Sequence, residues 1–192
     1  MSLDQSTSRR KFLQSSAVAA ASFFIVPRHV LGGKGFIAPS DKLNIAAVGC
    51  GGKADVNIRL AHNKGSDNIV ALCDVDDREA KKYSAQFSSA PYFQDYREMF
   101  DKVGKTFDAV IVSTPDHMHA PIAMAAMQLG KHVYVEKPLT HDIYEARMLT
   151  EAARRYKVVT QMGNQGSSGD ATRIIETAIQ KKVIGHVHTV YC

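Results

Sequence analysis

Between Leu43 and Ala54 the chain reads Leu-Asn-Ile-Ala-Ala-Val-Gly-Cys-Gly-Gly-Lys-Ala, an apolar β-type run that turns at Gly49-x-Gly51-x-x-Ala54 into a helical pattern. Few backbones satisfy that string. Gly49 can turn tightly with positive φ, and Gly51 has no Cβ to keep the backbone away from a pyrophosphate. Ala54 is small enough for the helix to pack on the strand, which leaves the helix N-terminus aimed at an anion. The acid such a cradle needs is in place. Asp74 stands 20 residues beyond Ala54, closing the apolar run Ile69 to Cys73, where a carboxylate can accept hydrogen bonds from an adenosine ribose. These features together predict a dinucleotide site.

A chain of 192 residues can bury one good core with a remainder. Its 45% hydrophobic and 22% charged residues are those of a globular protein. Asp4, Arg9, Arg10 and Lys11 contribute +2 of the net charge of +5, and the rest is too dispersed to argue for nucleic acid. Cys50, Cys73 and Cys192 lack CxxC spacing and read as small buried residues, not a disulfide framework. The first 26 residues read as a leader. Ser8-Arg9-Arg10-Lys11-Phe12-Leu13 precedes an apolar run of ten residues, Ala17 to Val26. That run is half the ~20 residues a bilayer span requires, so no stable membrane span is expected. The segment resembles a bacterial twin-arginine export signal, with Gln14 where lysine is common and Ala19-Ala20-Ala21 as the nearest cleavage site. The resemblance implies export to the periplasm of a protein already folded around its cofactor.

Residues 30–41 are glycine-rich and read as a linker. From Lys42 onward strands are expected near 43–48, 69–73, 107–113, 132–136 and 158–162, and helices near 52–63, 77–87, 95–102, 119–129, 141–156 and 170–182. Their alternation predicts an α/β domain over 42–182, a doubly wound parallel sheet of Rossmann type covered on both faces. Ala109-Val110-Ile111-Val112 suits a strand buried on both sides. Thr140 is the expected N-cap of helix 141–156, with Ile143, Ala146, Leu149, Ala153 and Tyr156 as its buried face. Gly130 is placed to end helix 119–129. Residues 183–192 read as a turn and then the first strand of a second, truncated α+β substrate domain.

In an open parallel sheet, ligands bind beyond the carboxyl ends of the strands. Each candidate residue falls there. The glycine turn with Gly52 follows the first strand, and Asp74 the second. Ser113-Thr114-Pro115-Asp116-His117-Met118-His119 follows the third, Glu136-Lys137-Pro138 the fourth, and Gly163-Asn164-Gln165-Gly166 the fifth. His117-x-His119 has no third ligand at a sensible spacing, so no metal is expected. His186 and His188 alternate along one strand face.

Taken together, the Gly-x-Gly-Gly turn, Asp74, Thr114-Pro115-Asp116-His117 and the run Gly130-Lys131-His132-Val133-Tyr134-Val135-Glu136-Lys137-Pro138 resemble the Gfo/Idh/MocA family. That family contains nicotinamide-dependent oxidoreductases of sugars, cyclitols and related polyols. The likeness runs from about Lys42 to Cys192, and of the family's second domain only the first strand is expected in this chain. The resemblance implies a catalytic Lys137 beside the nicotinamide, moving the proton of the reacting hydroxyl while hydride passes. It implies Glu136 near the nicotinamide ribose or orienting Lys137, and Ser113, Thr114 and Pro115 lining the cofactor cleft. His119 is expected near substrate, and Asn164 and Gln165 near nicotinamide or substrate. The motif also raises the expectation of a cis Lys137–Pro138 bond. Asp74 favours the free 2′-hydroxyl of NAD over the 2′-phosphate of NADP, although Arg78 leaves NADP open. A homo-oligomer is expected only with the second domain present. Three other readings compete: a redox-neutral glycosidase that retains NAD, a truncated nucleotide-binding fragment without activity, and, more weakly, a methyltransferase, in which Glu-Lys-Pro would have no job.

Overall fold

A computed structural model of the chain describes residues 28–33, 37–83 and 85–191, so the leader expected over 1–26 and Cys192 lie outside the described residues. The chain divides into one unit up to Lys42 and a second from Leu43 onward. In the first, the described residues form a helical turn, Arg28–Leu31, and a 3-10 turn, Pro39–Asp41.

The second unit is built on six strands: β1 (Asn44–Val48), β2 (Asn68–Cys73), β3 (Tyr92–Phe93), β4 (Ala109–Val112), β5 (His132–Glu136) and β6 (Thr160–Gly163). They lie in the order β3-β2-β1-β4-β5-β6, every neighbouring pair parallel. The helices are α1 (Lys53–His62), α2 (Asp77–Lys81), α3 (Tyr96–Val103), α4 (His119–Gln128), α5 (Ile143–Tyr156) and α6 (Asp170–Gln180). This is the doubly wound arrangement the alternation predicts. Alternate residues of each strand feed opposite faces. Ala46, Val48, Val110, Val112, Val133 and Val135 meet Ile122, Ala126 and Met127 of α4 and Leu149 of α5. Ile45, Ala47, Leu72 and Ile111 meet Ala54 and Ile58 of α1. Each large side chain so buried, such as Ile58 or Phe107, contributes about 1.5–3 kcal/mol.

Several expectations are corrected. The helix expected over 77–87 stops at Lys81 and continues as turns, with Phe87 N–H bonded to Tyr83 O. Ala80, Tyr83 and Phe87 all reach the core, so the periodicity reported a buried face and not an unbroken helix. Strand β3 is too short to show a period. It is held by Leu72 N–H to Pro91 O and Asp74 N–H to Phe93 O. Asp142, not Thr140, caps α5, its carboxylate accepting the Glu145 N–H at 2.8 Å. Leu149 and Ala152 are the buried residues of α5, and Ile143, in its first turn, is 74% exposed. Gly130 does end α4, at φ 72°. Its N–H reaches Met127 O, and the Lys131 N–H reaches Ala126 O, closing a Schellman turn.

The sheet is not covered on both faces throughout. On the α1 side, a cavity of about 560 Å³ opens over β4, β5 and β6, between Leu60, Ile111, Tyr134 and Met162. Helix α6 buries none of its residues and leaves Ile174, Ile175 and Ile179 exposed. The strand expected near the end of the chain does not form; residues 186–191 pair with no strand, and a lone strand has no ladder to satisfy its backbone. Among the described residues, no helix is long and apolar enough to cross a membrane.

Candidate functional site

The register brings the strand ends level. Val48 stands opposite both Cys73 and Val112, Val112 opposite Val135, and Glu136 opposite Gly163. One rung on, Asp74, Gly49, Ser113, Glu136 and Gly163 therefore form a row across the carboxyl edge, and Thr114 and Lys137 follow it.

Gly49 has φ +88°, and a Cβ there would lie 2.5 Å from the Ser113 carbonyl oxygen. No L-residue with a side chain fits. A Cβ on Gly51 would lie 2.8 Å from Glu79 Oε2, so that turn is also closely approached. Gly52, at φ +53°, opens α1, and no side chain caps the helix start. The Ala54 and Asp55 N–H groups turn back to Gly51 O and Gly52 O, which leaves the Gly52 and Lys53 amides for an anion. Ala54, 0% exposed, lets the helix sit directly on the sheet. Asp74 is anchored to this turn. Its Oδ2 accepts the Cys50 N–H at 2.7 Å and its Oδ1 the Asp76 N–H at 2.9 Å.

These groups face a cleft of about 630 Å³ lined by Gly49, Gly51, Asp74, Thr114, Pro115 and His117. Thr114 Oγ1 is buried and has no hydrogen-bond partner among the described residues. A buried hydroxyl without a partner is costly, so a polar ligand group in the cleft would satisfy it. The uncapped helix start, the glycines and the orphan hydroxyl fit a dinucleotide. Cys73 lines the cleft and Cys50 sits in the glycine turn; burial first, then the Asp74 charge, pushes each thiol up to about 12.

Glu136 is 5% exposed. Its Oε1 accepts from Asn57 Nδ2 at 2.9 Å, from Gln165 Nε2 and from Tyr134 OH, and its Oε2 from the Lys137 N–H at 3.2 Å. Burial pushes its carboxyl up, but the Asn57, Gln165 and Lys137 donors and the Lys53 charge outweigh it and hold the group below the usual range. The carboxylate is thus ionised and fully engaged inside the sheet. Its bond to Lys137 is made to the backbone N–H. Lys137 itself is exposed, one residue past the row and outside the cleft lining, and the Lys137–Pro138 bond is cis.

His119 is buried beneath the strand ends. It is 1% exposed, with Nδ1 2.6 Å from Pro138 O and Nε2 2.8 Å from Thr114 O. Its two ring nitrogens each face a backbone carbonyl oxygen, which sets the ring between the loop after β4 and the loop after β5. Asn164 and Gln165 line the cavity on the opposite sheet face. Gln165 reaches Tyr134 OH at 2.6 Å, which ties it to the Glu136 cluster. Among the described residues, no three His, Cys, Asp or Glu groups could hold a metal. Sequence reasoning missed Asn57 and Tyr134. Asn57 carried a signal: it is an amide among the core-facing positions Ala54 and Ile58 of α1.

Comparison with known proteins agrees with this geometry. A model of the oxidoreductase family with an NAD-binding Rossmann fold matches residues 43–164. A glycosyl hydrolase family 109 protein of Shewanella pealeana is 23% identical over 204 residues, covering 93% of this chain and 44% of that protein. The myo-inositol 2-dehydrogenase of Lactobacillus plantarum superposes with a TM-score of 0.67 at 23% identity, covering 76% of this chain and 43% of the other. The scyllo-inositol dehydrogenase of Lactobacillus casei, solved with NAD(H) and scyllo-inositol, superposes with a TM-score of 0.65 at 22% identity over 75% of this chain and 42% of the other. The chain thus spans less than half the length of these relatives. With its glycine turn, anchored strand-end acid and six-stranded parallel sheet, the chain belongs to the Gfo/Idh/MocA oxidoreductase family and carries that family's NAD-binding Rossmann fold.

Proposed function

We propose that this chain is the cofactor-binding part of an NAD-dependent oxidoreductase acting on a hydroxyl of a sugar-like or cyclitol-like substrate. The row of strand ends carries the reading: it aligns the anion cradle, the ribose acid and Lys137 along one edge of the sheet. Nicotinamide, when bound, supplies the hydride acceptor or donor. The chain's residues do the rest. The amides opening α1 hold the diphosphate, and Thr114 Oγ1 gains a partner. Asp74 accepts from the ribose, and its negative charge disfavours a 2′-phosphate, which makes NAD the cofactor. Lys137, exposed one residue past the row, takes or returns the hydroxyl proton. Relatives that bind cyclitols, such as the scyllo-inositol enzyme, support the substrate class.

Titration of the chain with NAD and NADP by calorimetry tests this. NAD is expected to bind at least tenfold more tightly, and Asp74→Ala to narrow that gap. Equal affinity for the two, or no binding of either, overturns the cofactor assignment.

A second reading has support in the glycosyl hydrolase family 109 relatives. There the same residues serve a redox-neutral cycle in which a transient oxidation acidifies the neighbouring carbon, allows the leaving group to depart, and is then reversed. Release of a chromogenic aglycone without net formation of reduced nicotinamide selects it; net formation with a free polyol selects the dehydrogenase.

The Arg9-Arg10 leader supports export. Replacing both with lysine is expected to leave the protein in the cytoplasm of a bacterial host with an intact twin-arginine route. Unchanged export would remove the periplasm from the proposal.

A further inference from the structure

Asn57 sits on α1, four residues after the helix opens from the glycine turn, and is 7% exposed. An amide on the buried face of a helix is unfavourable without partners. Asn57 has them, and they are specific. Its Nδ2 donates to Ser113 Oγ at 3.0 Å, beyond the end of β4, and to Glu136 Oε1 at 2.9 Å, at the end of β5. Both N–H groups of the amide are therefore used. The other oxygen of Glu136 accepts the Lys137 N–H at 3.2 Å. A continuous line of hydrogen bonds thus runs from the helix that starts at the anion cradle to the backbone of Lys137.

We infer that Asn57 is a positioning residue: acting through Glu136, it fixes Lys137 relative to the helix that receives the cofactor diphosphate. The inference rests on the reading of Lys137 as the proton-transferring group. A core amide serving packing alone would need no carboxylate partner, and a leucine would fill the site between Ala54 and Ile58 more favourably. Losing one donor to a buried carboxylate costs more than losing an ordinary surface bond. Tyr134 OH and Gln165 Nε2 also donate to Glu136 Oε1, and the Lys53 ammonium lies near enough to favour the ionised form. Since the Glu136 carboxyl is held below its usual range, it contributes stability that is in place above that range and is lost as pH falls through the folded-state value.

The test uses two substitutions. Asn57→Leu removes the donor and keeps an apolar volume. Asn57→Asp keeps the shape and faces Glu136 with a second carboxylate, so that one of the two must hold a proton. By carbon-detected NMR of the chain, the Glu136 carboxyl is expected to titrate at higher pH in both variants, and the Lys137 amide resonance to move. In an active preparation, turnover falls roughly tenfold to a hundredfold at unchanged KM and NAD affinity, and Asn57→Asp regains part of it on mild acidification. A lowered melting temperature with the Glu136 titration and Lys137 amide unmoved would overturn the inference, as would unchanged turnover where Lys137→Ala abolishes it. Should Lys137→Ala leave turnover intact, the lysine assignment fails by itself, and the NMR readout still decides the link from Asn57 to Glu136. If Asn57→Leu does not fold, the isosteric Asn57→Asp supplies the same measurements.

Discussion

Gly49→Ala is expected to destabilise the chain by about 3 kcal/mol and to abolish measurable NAD binding. Two penalties combine. The backbone at φ +88° lies where a side chain is strained, and the new methyl would stand 2.5 Å from the Ser113 carbonyl oxygen. That oxygen belongs to backbone fixed by the Ser113 N–H bond to Val48 O, so it cannot swing away as a side chain would. For a domain of this size the loss corresponds to a fall in melting temperature of roughly 10 °C. Thermal unfolding followed by circular dichroism, with calorimetric titration of NAD, measures both. A shift within about 0.5 kcal/mol, the range of an ordinary surface change, would mean that the turn is not built as described.

Lys137→Ala is expected to act on chemistry and leave folding alone. The side chain is exposed, and the bond that involves this residue in the core comes from its backbone N–H to Glu136, which alanine retains. Melting temperature and NAD affinity should stay close to those of the parent. Turnover, in a preparation that oxidises or reduces a polyol, should fall roughly 10²-fold or more, the usual contribution of a positioned acid or base. Comparison of kcat, KM and NAD affinity for parent and variant checks this. A parallel loss of cofactor affinity would make Lys137 a binding residue, and unchanged kcat would take it out of the reaction.

The architecture was legible because one signal repeats. Each apolar run ends in a polar or glycine-containing turn, and that pattern located five of the six strands and the edge at which ligands bind. Gly49, Gly51, Asp74, Thr114 and Pro115 could be named from the chain and do meet in one cleft. Positions whose role depends on what stands opposite were not legible. The carboxylate of Glu136 points into a cluster formed by Asn57, Tyr134 and Gln165, residues from three separate elements. His119 was taken for a ligand-facing group because it follows a strand end; only the tertiary arrangement shows two carbonyl oxygens closing over it. Strand β3, at two residues, is shorter than any period, and its pairing is fixed by β2. The cap of α5 moved from Thr140 to Asp142 for a local reason: Glu145 sits where its N–H meets the Asp142 carboxylate, and its own carboxylate accepts the His141 N–H.

The double attachment of Asp74 has a practical consequence for redesign. The same carboxylate that would discriminate between the two nicotinamide dinucleotides also braces the amide of Cys50 inside the phosphate turn. Exchanging it for a neutral or basic residue would unfasten the Cys50 amide along with any discrimination the carboxylate provides. Selectivity and grip are therefore coupled at this position, and an engineer who wants to switch one must rebuild the support of the other from a neighbouring side chain.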